Sequence, residues 1–359
     1  MSLLRYTSSG EKLTIKDIAA MAGVSAGTVD RVIHGRGEVA EETRQLILKI
    51  IEQTGFRRNM LASALVSKKK RKIAVMLPSP SRDLYFWKLP QRGIEKAYQE
   101  IAPFGVEITT YHFDYENRKD FVRQSRKVLK QSPDGVLLAP VIREEAQTFI
   151  ESCAARKIPV VVIDTCIGHK NVLSYIGQKA FHSGRVAAHL MHWGMEGKLH
   201  FLVVHVGIAG MGYEQLKERA EGFKKYFAES FSEQVKISEI SVEAHDQKKI
   251  NAVLDGFLKK RNSLQGIFVT NSRVYRIASW AASRHMNDLR IAGYDLLEEN
   301  IKYLKDGTID FLISQLPEEQ AYRGVLALFD YFMGREKIEP LQYLPIDILT
   351  KENIDFYKF

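Results

Sequence analysis

Five polar residues of this 359-residue chain stand where an α/β protein presents groups to a small molecule. Asp164 ends Val-Val-Val-Ile-Asp, Asn271 ends Ile-Phe-Val-Thr-Asn, and Asp295 ends Ile-Ala-Gly-Tyr-Asp. Gln315 lies in Ile-Ser-Gln-Leu-Pro and Arg219 in Glu-Arg-Ala-Glu-Gly-Phe. Carboxylate, amide and guanidinium groups are planar and bind in pairs, which suits sugar hydroxyls that both donate and accept. Tyr85, Phe86 and Trp87 follow the first strand pattern of this region and can stack on the apolar face of a sugar ring. Taken singly, each has a plainer reading. An Asp or Asn after a strand commonly caps a turn or helix, Arg219 can be a surface ion pair, and the aromatics can be core. Together they outline a ligand cleft.

A second constellation sits near the N-terminus. Ile15, Ile18, Ala19 and Ala22 repeat at three- and four-residue spacing, one apolar stripe of a short helix. Thr14 precedes the stripe as an N-cap, and Asp17 stands where its carboxylate meets free backbone N–H groups. Gly23 supplies a tight turn, and Ser25 can cap a second helix whose Val29, Val32 and Ile33 face inward. The polar residues left outside, Arg31 among them, are those able to enter a DNA major groove. A third amphipathic pattern, Glu42–Gln53, carries Leu46, Ile47, Ile50 and Ile51 and closes a three-helix unit, with Gly55 as its C-cap.

From Leu13 to Leu77 the chain resembles the lactose-repressor (LacI/GalR) family of bacterial regulators. The matching residues are Thr14-Ile15-Lys16-Asp17-Ile18-Ala19, Ala22-Gly23-Val24-Ser25, Thr28-Val29, Arg31-Val32 and Val39-Ala40-Glu41-Glu42-Thr43-Arg44. Gly55-Phe56 and Asn59-Met60-Leu61-Ala62 continue the match. The resemblance implies DNA contacts from Thr14, Ser25, Ala26, Gly27, Thr28, Arg31 and His34. It also implies a hinge segment containing Asn59, Ala62 and Leu65, which becomes helical on DNA and wedges Leu65 into the minor groove. Beyond the hinge, the chain resembles a periplasmic-binding-protein (type I) effector domain, and the five polar residues match the binding positions of ribose-type sugar binders. Several departures stand out. Thr165 follows Asp164 where several pentose binders carry a second charge, and Gln178 replaces a frequent aspartate. Ala26 and Gly27 are small for base-reading positions, and Asp30 replaces a common serine.

The elements that must position these residues follow from patterning. Ile73–Leu77, Gly135–Ala139, Val160–Ile163, Leu199–Val204, Gly266–Thr270 and Ile291–Tyr294 read as buried parallel strands. Helical stretches such as Leu89–Ile101 and Gly184–Gly194 alternate with them, the signature of open α/β sheets whose ligands bind at the carboxyl ends of strands. The expected architecture is a small all-α helix-turn-helix headpiece (13–58), a hinge and basic linker (59–72), and an α/β two-lobed periplasmic-binding-protein-like domain with parallel sheets (73–359). Its first lobe is expected over about 73–173 and 316–342, its second over about 174–315 and 343–359.

Charge supports this division. The net charge is +9, and residues 1–72 hold fourteen Lys/Arg against seven Asp/Glu, so most of the excess lies in the segment that would meet phosphate. Cys153 and Cys166 are the two cysteines, too few and too far apart for a disulfide framework or a thiolate metal site. The N-terminus has no apolar core of signal-peptide length and no run approaches a membrane span, so a cytoplasmic protein, on the nucleoid when bound to DNA, is expected.

Among catalytic motifs, His-Glu-x-x-His and a phosphate loop are missing. The glycines of Gly207–Gly212 read as a loop. His189 and His192 share a helix with no third ligand, so no metal and no cofactor are expected. The expectation is therefore a homodimeric, ligand-switched repressor on an inverted-repeat operator, not an enzyme, with a sugar or sugar derivative as effector. A purine-responsive regulator of the same fold is the alternative. A sugar-binding protein explains the body alone, and a sugar enzyme leaves the headpiece without purpose.

Overall fold

The computed structural model describes residues 13–34, 38–54, 70–80, 82–168, 170–207, 213–243, 246–259, 264–334 and 337–357. The chain divides into two compact units, Met1–Lys69 and Lys70–Phe359.

In the first unit, helices α1 (Ile15–Ala22), α2 (Ala26–His34) and α3 (Glu41–Thr54) enclose a core of Leu13, Ile18, Ala19, Ala22, Val29, Val32 and Ile47. Local chemistry fixes their ends. The Thr14 N–H and hydroxyl both donate to Asp17 Oδ2 at 2.7 Å, and these bonds hold the Asp17 carboxyl below its usual range. Gly23 turns the chain at φ +65°, a left-handed conformation that a side chain disfavours, while the Val24 N–H donates to the Ala19 carbonyl at 3.0 Å. Ser25 Oγ accepts from the Thr28 N–H at 3.1 Å and so caps α2. Leu46 departs from the expected inward stripe and is 45% exposed. The helix buries Ile47 and Thr54 and half-buries Ile50 and Ile51, and Leu46 lies about 100° round the helix from Ile47. The Ile33 side chain and residues 55–69, including Gly55, lie outside the described residues.

The second unit contains two sheets of six strands. The first comprises β1 (Arg71–Pro78), β2 (Val106–Phe113), β3 (Gly135–Leu138), β4 (Val160–Ile163), β5 (Ser174–Gly177) and β11 (Leu341–Tyr343), in the order β11-β5-β4-β3-β1-β2. The second comprises β6 (Leu199–Val206), β7 (Val235–Val242), β8 (Gly266–Val269), β9 (Arg290–Tyr294), β10 (Phe311–Ser314) and β12 (Asp347–Leu349), in the order β12-β10-β9-β8-β6-β7. All neighbours run parallel except β12, which is antiparallel to β10. Strands β3, β4, β6, β8 and β10 are buried at every residue, as parallel strands covered on both faces must be.

Glycines bring two helix pairs close. On α4 (Leu89–Ile101), a Cβ at Gly93 would stand 1.9 Å from the Glu318 carbonyl oxygen of α12 (Pro317–Phe332). On α7 (Ala180–His192), a Cβ at Gly184 would stand 1.9 Å from the Arg219 carbonyl oxygen of α8 (Tyr213–Ser230). The second contact seats the helix that carries Arg219.

Three segments carry the chain from one sheet to the other: after β5, after β10, and between β11 and β12. Two expected boundaries shift accordingly. Residues 174–177 belong to the first sheet, because β5 pairs with β4 and β11; among the described residues no helix lies between β4 and β5, so strand–helix alternation does not flag it. Tyr343 is likewise in the first sheet. The expected linker also ends earlier, since Arg71 and Lys72 are already in β1, where Arg71 pairs with Asp134 at 2.7 Å and Lys70 with Glu107 at 2.6 Å.

Candidate ligand cleft and nucleic-acid face

The interface between the two sheets' lobes contains a cleft lined by Phe86, Trp87, Tyr115, Val141, Asp164, Thr165, Gln215, Leu216, Arg219, Asn271, Ser272, Arg273 and Gln315. Six of the expected ligand residues therefore converge: Phe86, Trp87, Asp164, Arg219, Asn271 and Gln315. Tyr85 does not join them; its half-buried ring lies under the Lys88 ammonium, 4.6 Å from the ring centre. Asp295 is one layer behind the lining, against Gln315.

Arg219 organises the floor. It is 1% exposed, with Nη1 donating to the Thr270 carbonyl at 2.7 Å and Nη2 to Gln315 Oε1. Its guanidinium carbon stacks 3.8 Å from the centre of the Tyr294 ring, and its Nε is buried without a partner among the described residues. Gln315 in turn donates from its backbone N–H and Nε2 to the two oxygens of Asp295, at 3.1 and 2.6 Å. Arg219, Gln315 and Asp295 thus form one hydrogen-bonded chain with fixed donor and acceptor roles.

Across the cleft, the Thr165 hydroxyl donates to Asp164 Oδ2 at 2.9 Å, and Gln215 Nε2 reaches from α8 to the Asp164 carbonyl at 2.9 Å. Asn271 Nδ2 donates to the Val206 carbonyl at 2.5 Å, and its Oδ1 accepts from the Arg273 N–H at 3.1 Å. Part of Asn271 is thereby occupied as a turn residue, in keeping with the plainer reading of its type.

Burial dominates the electrostatics. It pushes the Asp295 carboxyl up to about 7 and raises that of Asp164, in both cases against the opposing pull of Arg219. The Tyr115 hydroxyl is pushed up to about 12 by the same cause. A cleft with buried polar groups held in fixed hydrogen bonds and one stacked guanidinium can bind a small polyhydroxylated molecule.

Gln215, Tyr115, Ser272 and Arg273 line the cleft without having been picked out from the sequence. Gln215 stands four residues before Arg219 on the same helix, so the helical period points to it. Ser272 and Arg273 directly follow Asn271, and Tyr115 follows β2, an edge strand the patterning passed over.

On the headpiece, Thr14, Ser25, Ala26, Gly27 and Arg31 are exposed and Thr28 is half-buried. Arg31 runs back along α2, with Nε 3.4 Å from the Gly27 carbonyl and Nη2 3.4 Å from Thr28 Oγ1. The helix thus presents small residues at its start with the Arg31 guanidinium laid beside them. The side chain of His34 and residues Asn59, Ala62 and Leu65 lie outside the described residues.

His189 and His192 belong to an aromatic cluster: His189 Nδ1 is 3.1 Å from the Tyr226 hydroxyl, and the His192 ring lies 4.2 Å from that of Phe231. Among the described residues, no group of three His, Cys, Asp or Glu side chains could hold a metal ion, and no helix is long and apolar enough to cross a membrane.

Comparison with known proteins matches residues 14–59 to the lacI family of bacterial regulatory proteins and residues 73–336 to a periplasmic binding protein domain. The helix-turn-helix-type transcriptional regulator DegA of Bacillus subtilis is 32% identical over 155 residues, which cover 42% of this chain and 44% of that one. A ribose operon repressor of Lactococcus lactis is 24% identical over 349 residues, covering 95% of this chain and 98% of the other. A crystal structure from Bacteroides fragilis described as a LacI transcriptional regulator superposes with a TM-score of 0.74 at 31% identity, over 81% of this chain and all of that one.

Proposed function

The chain belongs to the LacI family of bacterial regulatory proteins, and we propose that a sugar or sugar derivative in the interlobe cleft sets its affinity for operator DNA. The observation that carries this reading is the convergence of Asp164, Arg219, Asn271 and Gln315 with Phe86 and Trp87 on one cleft. Pairs of planar polar groups beside an aromatic wall suit a pyranose or furanose better than an apolar or highly charged ligand. The name of the full-length relative, a ribose operon repressor, supports the same class.

Binding without turnover is sufficient for such a switch, since the ligand need only prefer one lobe arrangement to shift the population. A thermal-shift screen of the full chain against pentoses, hexoses, sugar acids and purines tests this directly. A ligand at a hundred times its Kd stabilises the folded state by about 2.7 kcal/mol. Stabilisation by purines alone would overturn the sugar assignment.

On DNA, the chain works as a homodimer on an inverted repeat, in the cytoplasm where that DNA is. One recognition helix with Ala26 and Gly27 at its start makes too few base contacts to select a site from a genome, and two copies double them. Leu65 acts as the minor-groove wedge at the centre of the repeat. Arg31→Ala is expected to cost about 1–3 kcal/mol of operator affinity and relax selectivity at one base position. Gel-shift competition decides it: equal loss on operator and random duplex would reduce Arg31 to a phosphate contact.

A further inference from the structure

Gln178 sits at the start of the first crossover, directly after β5, and is 3% exposed. Its Nε2 donates to the Ser314 carbonyl at 2.7 Å and to the Pro345 carbonyl at 2.6 Å. Ser314 is the last residue of β10, where the second crossover begins, and Pro345 lies within the third. Both neighbours are carbonyl acceptors, so the atom facing them must be the amide nitrogen. One side-chain nitrogen thus joins all three connections between the lobes.

We propose that Gln178 is a positioning residue, a clasp that holds the three crossovers in register and thereby aims Gln315 into the cleft. The decisive geometry is a single peptide unit. The carbonyl of Ser314 and the N–H of Gln315 belong to the same plane; Gln178 holds the oxygen, and Asp295 Oδ1 accepts from the N–H at 3.1 Å. A peptide plane gripped on both edges cannot rotate, so the Gln315 side chain leaves it in one direction, toward Arg219 and Asp295. Neighbouring contacts act the same way. The Leu344 N–H of the third crossover donates to the Gly177 carbonyl at 2.8 Å. Gln320 accepts from the Asp164 N–H at 2.6 Å and donates to the Gln315 carbonyl at 2.8 Å.

The other end of the Gln178 amide sharpens the argument. Gln178 Oε1 is buried without a hydrogen-bond partner among the described residues. An unpaired buried acceptor is costly, so space-filling alone would be served better by an apolar side chain of the same length. The nitrogen accounts for the residue type, because it alone reaches both carbonyls.

The test contains no ligand, so its outcome is independent of whether the cleft takes a sugar. Hydrogen exchange is measured on the full chain for wild type, Gln178→Met and Gln178→Glu at neutral pH. Gln178→Met leaves no donor at this position, and Gln178→Glu leaves at most one O–H, when burial keeps it protonated, for the two carbonyls. Both are expected to speed exchange of the Gln315 and Leu344 amides by about tenfold or more, while β1, β3, β6 and β8 keep wild-type rates. A general loss of stability would raise the strand rates as well, so the two roles separate. Acceleration confined to residues beside 178, or wild-type rates in Gln178→Met, overturns the proposal. Should both variants fail to fold, the wild-type rates decide: Gln315 and Leu344 must exchange at least about a hundredfold more slowly than in an unstructured peptide, and faster exchange rejects the clasp.

Discussion

Asp164 and Asp295 occupy the same station in two lobes of like topology. Each follows its lobe's fourth strand in sequence, β4 or β9, and each has a left-handed backbone, at φ +67° and +65°. Aspartate tolerates this conformation better than most residues, because its short side chain can bond locally. Both are buried, and both carboxyls are pushed up by that burial against the pull of Arg219. They differ in their partners. Asp164 lines the cleft with the Thr165 hydroxyl on one oxygen, whereas both oxygens of Asp295 are taken by Gln315. One fold position therefore serves two purposes: the first lobe offers its carboxylate outward, and the second spends its own on holding an amide that reaches the cleft.

Arg219→Ala should have the largest effect, because it removes the cation that both aspartates share. The change strips the Thr270 carbonyl and Gln315 Oε1 of a buried donor and leaves two buried carboxyls without a counter-charge. Breaking a buried charged network in this way costs about 3–5 kcal/mol, readable by urea unfolding. If the loss is under about 1 kcal/mol, Arg219 is not the common partner that the comparison requires.

Substituting the aspartates one at a time sharpens the contrast. Asp164→Asn is expected to weaken ligand binding by about 1.5–3 kcal/mol, the worth of a hydrogen bond to a charged group, with little change in stability. Asp295→Asn should do the reverse in its first effect: it turns an amide N–H₂ toward the Gln315 donors and costs about 1–3 kcal/mol of folding stability. Calorimetry and unfolding on both variants give the answer, and identical profiles would erase the distinction between the two stations.

A pH slope tests Asp295 in a different way. Because the Asp295 carboxyl is raised to about 7, the folded chain keeps a proton that the unfolded chain loses near pH 4. Its contribution therefore falls as pH rises through the window from about 4 to about 7 and is level above it. Stability of Asp295→Asn, measured against wild type from pH 5 to 7.5, should lack that component. An unchanged slope would mean that Asp295 ionises normally in the folded chain.

Much of this was legible in the residues. The caps at Thr14 and Ser25, the turn at Gly23 and the span of α4 follow from local rules, where one residue type serves one geometric need. Five of the polar and aromatic cleft positions at strand ends or loop starts, together with Arg219, also came from pattern. What escaped depends on tertiary pairing. The strand β5 is four residues long and follows no helix among the described residues, and the edge strands β2 and β7 are only partly buried where the expected strands are continuous apolar runs. The strand pattern puts Asp295 at the end of β9, but sequence does not reveal that Gln315 covers it. Tyr85 was grouped with Phe86 and Trp87 by adjacency, yet its ring instead meets Lys88. In sequence Gln178 is only a departure in residue type; its contacts lie 136 and 167 residues away.

The central claim is that occupancy of this cleft changes DNA affinity. The most direct measurement is fluorescence anisotropy of an inverted-repeat duplex, selected by the full chain from a random library, with and without the sugar found in the thermal screen. Wild type should change its DNA affinity at least about tenfold in one direction, a coupling of about 1.4 kcal/mol. Asp164→Ala should bind the same duplex with wild-type affinity in the absence of sugar and respond less than about twofold when it is added. A sugar that binds wild type without altering DNA affinity, or an undiminished response in Asp164→Ala, would contradict the account.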